Sequence, residues 1–181
     1  IDVSLVGSEM CIRDRLSMEQ MIRSLYPVKI LKDEYNIEIS AAMQDDVNGV
    51  SWVFAELLSM IGIDFFSIAV NPVRGARVKP FPGAFIWQGP SKRNILAWNG
   101  FHYLFGRSQV GFGNKEFTDK LLPKFINKLE NDDSYNYDFL YCESTHPIRV
   151  DNGPPDERMP NFVKSWNENN EIKMEFLTVS E

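Results

Sequence analysis

Two adjacent carboxylates, Asp45 and Asp46, follow the apolar run 37–43 and precede a turn that contains Gly49. An amphipathic segment comes next, a pattern typical of a βα unit whose loop carries polar side chains at the end of a strand. In α/β folds the ligand binds at that end of the sheet. Asp46 is therefore a candidate nucleophile, general base or metal ligand. A capping or turn-forming aspartate would show the same local pattern.

A second candidate, His102, lies between Phe101 and Tyr103 after a predicted strand. It could bind a sugar or a metal, although a histidine in an aromatic segment is more often packed or hydrogen-bonded there. The chain contains no P-loop, GxGxxG, HExxH or GxSxG motif. The sequence therefore gives no support to nucleotide binding or to a serine hydrolase.

Further acids lie in the polar loop 143–156, which contains Glu143, Asp151 and Asp156. The run from Asp151 to Asp156 reads Asp-Asn-Gly-Pro-Pro-Asp, a strong turn signal. A rigid loop explains this run as well as a catalytic acid does.

The elements that would position these side chains alternate between strands and helices. A capped helix is expected to start at Ser17, Pro27 to interrupt it, and Gly62 to end the helix that follows the Asp45-Asp46 pair. This alternation favours a parallel α/β sheet, open or barrel-like, with one hairpin inserted. The predicted strands are 37–43, 63–70, 137–142 and 172–177, the predicted hairpin joins 85–88 to 94–98, and the further predicted helices are 28–35, 50–61, 115–129 and 159–169.

Composition narrows the class of partner. A chain of 181 residues with a net charge of −6 has no basic stripe to meet phosphates, so nucleic acid is not an expected partner. No apolar run approaches the roughly 20 residues of a membrane span. Cys11 and Cys142 are far apart, which argues against a disulfide scaffold or a cysteine zinc site. The chain has no N-x-[ST] acceptor, which fits a cytoplasmic location.

The first fifteen residues do not resemble the rest of the chain. Residues 1–15 lack the basic start and the small-residue cleavage site of a signal peptide. We predict that they are a non-native leader of the kind that adapter read-through produces. Residues 16–181 are then expected to be a fragment of a single α/β barrel domain.

Over about residues 20–181 the sequence resembles glycoside hydrolase family 38, the α-mannosidases, in a bacterial branch. Asp46-Val-Asn-Gly opens a helix that carries Trp52 near its start, and Gly62 ends it before the next strand, as in that family. The later matching runs, in the same order as in the family, are 85–90, 96–99, 101–103 and 151–156.

The resemblance implies a seven-stranded β/α barrel, of which this chain is a part, and a zinc-dependent retaining hydrolysis of α-mannosides. It implies that Asp46 is both the nucleophile and a zinc ligand. Asp151 is the expected acid/base, with Glu143 and Asp156 as alternatives. The predicted sugar contacts are Trp52, Asn71, His102 and Tyr103.

The chain also departs from the family pattern. The His-x-Asp pair that the family uses as zinc ligands is missing, and so is the family's acid/base run. Because catalytic zinc normally takes three protein ligands, this chain alone is expected to be inactive. Two alternatives stay open: a metal-dependent polysaccharide deacetylase, which uses an Asp-Asp pair, and a non-catalytic carbohydrate-binding paralogue.

Overall fold

The computed structural model describes residues 5–6, 16–47, 49–71, 79–145 and 154–177. These residues form two compact units: the first runs up to Gly100 and also includes Leu177, and the second runs from Phe101 to Phe176. The predicted leader lies almost wholly outside the described residues. Within the described ranges, no helix is both long and apolar enough to cross a membrane.

The first unit is built on an open, mostly parallel sheet. The strands are β1 (Leu5–Val6), β2 (Ala41–Asp45), β3 (Phe65–Ala69), β4 (Gly83–Gln88) and β5 (Asn94–Asn99). Their order across the sheet is β1-β2-β3-β5-β4. All neighbours are parallel except β4, which pairs antiparallel with β5. The helices of this unit are α1 (Met18–Ser24), α2 (Tyr26–Tyr35) and α3 (Val53–Met60).

Local signals in the sequence account for the boundaries of the helices. The Ser17 side chain accepts the Gln20 backbone N–H and the Gln20 side chain accepts the Ser17 N–H, which is a complete capping box at the start of α1. Asn36 ends α2 in the left-handed conformation that asparagine tolerates. Gly62, with φ +72°, follows the end of α3. The predicted starts and stops are confirmed within a few residues.

The helices cover one face of the sheet. Ala42, Phe66 and Ile95 point to that face and pack against Phe54 and Leu58 of α3 in a continuous core. Because side chains alternate along a strand, Gln44 lies on the helix-covered face and Asp45 on the opposite one. Only the opposite face of β2 therefore carries a carboxylate.

The α/β class and the hairpin are confirmed, since β4 and β5 pair from Gly83 with Asn99 to Gln88 with Asn94. The sheet is open, with β1 and β4 at its edges in the part of the chain that the structure describes. A closed seven-stranded barrel is thus not confirmed.

The second unit is helical among its described residues. It contains α4 (Phe105–Ser108), α5 (Lys115–Glu130) and α6 (Met159–Asn169), so the predicted helices 115–129 and 159–169 are confirmed. Phe101 stacks on Phe105 with ring centroids 3.9 Å apart, and Phe125 of α5 meets both rings edge-on. These aromatic rings link α4 to α5.

The predicted strands 137–142 and 172–177 are wrong, because neither segment forms a strand or pairs with one among the residues that the structure describes. Side chains satisfy their backbone groups instead. The Tyr135 hydroxyl donates to the carbonyl of Phe139. The Asn167 side chain donates to the carbonyl of Met174 and accepts the N–H of the same residue, both at 2.8 Å. Alternating apolar residues give an extended segment here, but a strand also needs a neighbour.

Candidate functional site

Three neighbouring strands bring polar side chains to one edge of the sheet. Asp45 ends β2 and pairs with Ala69, the last residue of β3, and Asn99 ends β5. Since β2, β3 and β5 are parallel, their carboxyl ends meet at the same edge. This edge, formed by the carboxyl ends of the parallel strands, is where α/β folds bind ligands.

Asp46 leaves β2 in an unusual backbone conformation. Its φ is +61°, in the left-handed region that aspartate enters more readily than most residues. Its backbone N–H donates to the carbonyl of Ala69 at 2.9 Å and to Oδ1 of Asp45 at 2.6 Å. The peptide of Asp46 is therefore anchored to β3, and Asp45 supports the turn.

The Asp46 side chain is held by Asn71, two residues after the end of β3. Nδ2 of Asn71 donates to Oδ1 of Asp46 across 2.6 Å. An ionised carboxylate can only accept hydrogen bonds, so the amide nitrogen must face it. The structure thus brings together two of the predicted site residues, in direct contact with each other.

Asn99 is a residue of this edge that the sequence reading missed. Its side chain is 2% exposed, and its Nδ2 donates to the carbonyl of Pro80 at 2.8 Å. Asn71 begins and Pro80 nearly completes the connection from β3 to β4, so Asn99 fixes the far end of that connection. The sequence did offer a signal for Asn99, which is a polar residue directly after the predicted strand 94–98 and next to Gly100.

The structure does not bring Trp52 to Asp46. The Trp52 indole N–H donates to the carbonyl of Gln88, which pairs with Asn94 at the start of β5. That point lies at the amino end of the parallel strands, about six residues or roughly 20 Å along the strand direction from Asp45. The predicted sugar contact by Trp52 has no support in this geometry, although its side chain is exposed.

His102 and Tyr103 lie together in the second unit, with ring centroids 4.0 Å apart. Nδ1 of His102 accepts the backbone N–H of Leu104 at 3.2 Å, which assigns the ring proton to Nε2. A protonated Nε2 can donate to a sugar hydroxyl, but it cannot ligate a metal in this tautomer. Sugar binding by His102 stays a prediction.

The candidate acids of the second unit differ in their partners. Asp156 forms a two-point ion pair with Arg158, at 2.8 and 2.9 Å, and accepts the Arg158 backbone N–H. The hydrogen bond and the charge of Asp156 raise the pKa of Arg158. Glu143 instead accepts the Tyr141 hydroxyl at 3.1 Å. Asp151, the acid/base that the resemblance favours, lies outside the described residues.

The predicted zinc site can be compared with the donors around Asp46. Asp45 and Asp46 are the carboxylates at this edge, and Asn71 presents its amide N–H rather than its oxygen to Asp46. Among the described residues, no three His, Cys, Asp or Glu side chains lie close enough to hold a metal ion. Catalytic zinc normally takes three protein ligands. The described residues therefore do not by themselves fit a complete zinc site.

The first unit also contains a cavity of about 330 Å³, which lies between α1, β2, α3 and the loop that follows β2. Its lining includes Met21 of α1, Gln44 of β2 and Phe54 of α3. Gln44 is fully buried and donates to the carbonyl of Gly49. Gln44 points away from the face of Asp45, but Gly49, Val50 and Ser51 of the loop that follows Asp46 also line the cavity.

Comparison with known proteins supplies the family. No curated protein sequence and no solved structure matches the chain. The family model described as "Glycosyl hydrolases family 38 N-terminal domain" matches residues 8–181, nearly the whole sequence. The resemblance drawn from the sequence is thereby confirmed, and the chain belongs to glycosyl hydrolase family 38, to whose N-terminal domain residues 8–181 correspond.

Proposed function

We propose that this chain is the nucleophile-bearing part of a retaining α-mannosidase, with Asp46 as the nucleophile. Family membership supports a glycoside hydrolase with a carbohydrate substrate. The observation that carries the residue assignment is the anchoring of Asp46, whose peptide is bound by Ala69 and whose carboxylate is bound by Asn71. Both contacts lie at the edge of the sheet where ligands bind.

The chemistry follows the two-step scheme of retaining glycosidases. A carboxylate oxygen of Asp46 bonds to the anomeric carbon while the bond from that carbon to the leaving oxygen breaks. The leaving oxygen takes a proton from the general acid. The deprotonated general acid then acts as a base and removes a proton from water, which makes it an acid again. The water oxygen bonds to the anomeric carbon while the bond to Asp46 breaks, which restores the Asp46 carboxylate.

The general acid is proposed to be Asp151, with Glu143 as the alternative. The contacts of Asp156 make it less suited, because the Arg158 guanidinium already engages both of its carboxylate oxygens. Glu143 has a neutral hydroxyl partner in Tyr141, which can accept or donate a hydrogen bond in either charge state.

Zinc is proposed for the enzyme to which this chain belongs, with Asp46 as the ligand that the chain contributes. A zinc ion there would orient the carboxylate and hold sugar hydroxyls. The further ligands and the closure of the sheet into a (β/α)7 barrel would come from outside the described residues, and we do not expect the 181-residue chain alone to turn over substrate.

The test is an assay of the product of the intact gene on an aryl α-mannoside, with added zinc and with a chelator. We expect zinc-dependent turnover with retention of the anomeric configuration. Proton NMR of the first-formed product measures that configuration. Asp46→Asn should reduce kcat by about a thousandfold or more, as loss of a nucleophile does. Asp64→Asn is the matched control, because Asp64 is an exposed aspartate at the amino end of β3.

Other outcomes would identify the alternatives. Release of acetate from an acetylated polysaccharide, without glycoside cleavage, would replace the mannosidase by a deacetylase. Saturable binding of mannosides without turnover would establish the non-catalytic paralogue.

A further inference from the structure

We propose that Asn71 is a positioning residue for Asp46 and does not bind the sugar directly. The inference rests on the proposed function, in which Asp46 is the nucleophile. The family resemblance led us to expect that Asn71 contacts the sugar. The structure gives it a different partner, the carboxylate of Asp46.

The end of β3 holds Asp46 at two points. The carbonyl of Ala69 accepts the Asp46 backbone N–H at 2.9 Å, and two residues later the Asn71 amide reaches Oδ1 of the same residue at 2.6 Å. The first contact fixes the backbone, which has a φ of +61°. The second fixes the side chain. Together they determine where the carboxylate points.

A carboxylate needs this second contact because rotation about its χ2 angle is broad and nearly unrestrained. A nucleophile must instead point one oxygen at the anomeric carbon within a narrow range of geometry. The hydrogen bond from Asn71 to Oδ1 restricts that rotation. Since the bond is short and its acceptor is charged, it is of the stronger kind.

The neutral charge of the donor also matters. A lysine or arginine at this position would attract the carboxylate electron pair and favour the unreacted, charged state of Asp46. An amide orients the carboxylate without adding a positive charge. Asn71 therefore combines a fixed geometry with a smaller ground-state stabilisation than a cation would give.

If Asn71 only stabilised the fold, its loss would lower kcat only together with the melting temperature. Kinetics and thermal unfolding measured together therefore distinguish a structural role from a positioning role. In the product of the intact gene, Asn71→Ala should lower kcat for an aryl α-mannoside by about 10- to 100-fold, the usual effect of misplacing a reacting group. KM and the melting temperature should change little. Asn71→Gln keeps the amide donor and should recover part of kcat. Asn94→Ala, at the amino end of β5, is the matched control.

An unchanged kcat in Asn71→Ala would overturn the positioning role, as would a raised KM with kcat preserved, which would return Asn71 to sugar binding. A fall in kcat that only follows a fall in melting temperature would also overturn it. If the wild-type enzyme does not cleave α-mannosides, the proposed function fails, and the contact itself is then decided by spectroscopy.

That second measurement uses nitrogen-15 NMR of the 181-residue chain and needs no activity. One Nδ2 proton of Asn71 should be shifted downfield and protected from solvent exchange, and Asp46→Ala should abolish both effects. Two Asn71 protons that exchange as fast as those of an exposed asparagine would overturn the proposal whether or not the enzyme is active.

Discussion

The indole N–H of Trp52 donates to the carbonyl of Gln88 across 2.6 Å, which ties the residue before α3 to the last residue of β4. The bond lies at the amino end of the parallel strands, away from Asp46. An aromatic residue six positions after a candidate nucleophile thus serves the packing of a helix against a hairpin.

We therefore expect Trp52→Phe to affect stability and not substrate affinity. Loss of one hydrogen bond should lower the free energy of unfolding by about 1 kcal/mol, measured by urea denaturation. The KM of the intact enzyme for an aryl mannoside should stay the same. A raised KM at unchanged stability would instead place Trp52 in the sugar site.

Glu56 should make the stability of the first unit depend on acid pH. Its carboxylate accepts the hydroxyl and the backbone N–H of Ser91 in the hairpin turn and lies 3.3 Å from Nε of Arg93. The Ser91 hydroxyl, aided by the Ser91 N–H and by Arg93 and opposed by burial, lowers the pKa of Glu56 below its ordinary value of 4.5.

A carboxyl whose pKa is lower in the folded state stabilises the fold above its unfolded pKa and loses this effect as pH falls through the folded value. The difference in melting temperature between wild type and Glu56→Gln should therefore shrink as pH is lowered from 7 to below 4.5. Asp64→Asn serves as control. A difference that is constant over this range would contradict the role given to Glu56.

Cys142 should be unreactive in the folded chain. Burial, with a smaller contribution from the charge of Glu143, raises the pKa of its thiol to about 12. Because the thiolate is the reactive form, a Cys11→Ser variant should react with Ellman's reagent at pH 8 much more slowly in its native state than after denaturation in urea. Fast labelling of the native protein would show that the thiol is accessible.

Asn167 should hold the segment 172–177 against α6. Its side chain donates to and accepts from the backbone of Met174, whereas the amide of Asn169 donates to the carbonyl of Ser165 in its own helix. Asn167→Ala should speed hydrogen exchange at the Met174 N–H and proteolysis within 172–177. Asn169→Ala should change neither. Equal exchange rates in both variants would mean that other contacts hold the segment.

The sequence was sufficient where the deciding interactions are local. The Ser17–Gln20 capping box, the left-handed Asn36 and the run of apolar residues in α3 all act within a few positions of the chain. Periodicity and capping therefore placed the helices and the β2–α3 unit. The strand-end position of Asp46 followed from the same reasoning.

Contacts between residues that are distant along the chain could not be predicted from the sequence. Asn71 contacts a residue 25 positions away, and Trp52 one that is 36 away, and no local pattern distinguishes the two. The segment 172–177 has the alternation of a strand, but the side chains of Trp166 and Asn167 occupy its backbone groups. Strand pairing and site assembly are tertiary properties, which override local propensity.

The most direct test of the central claim is to trap the covalent intermediate. The product of the intact gene is incubated with a fluorinated α-mannosyl fluoride, which slows hydrolysis of the glycosyl-enzyme, then digested and analysed by tandem mass spectrometry. The account predicts one fluoromannosyl group, attached as an ester to Asp46 and absent in Asp46→Asn. A glycosyl ester on another carboxylate, or inverted product without any adduct, would contradict it.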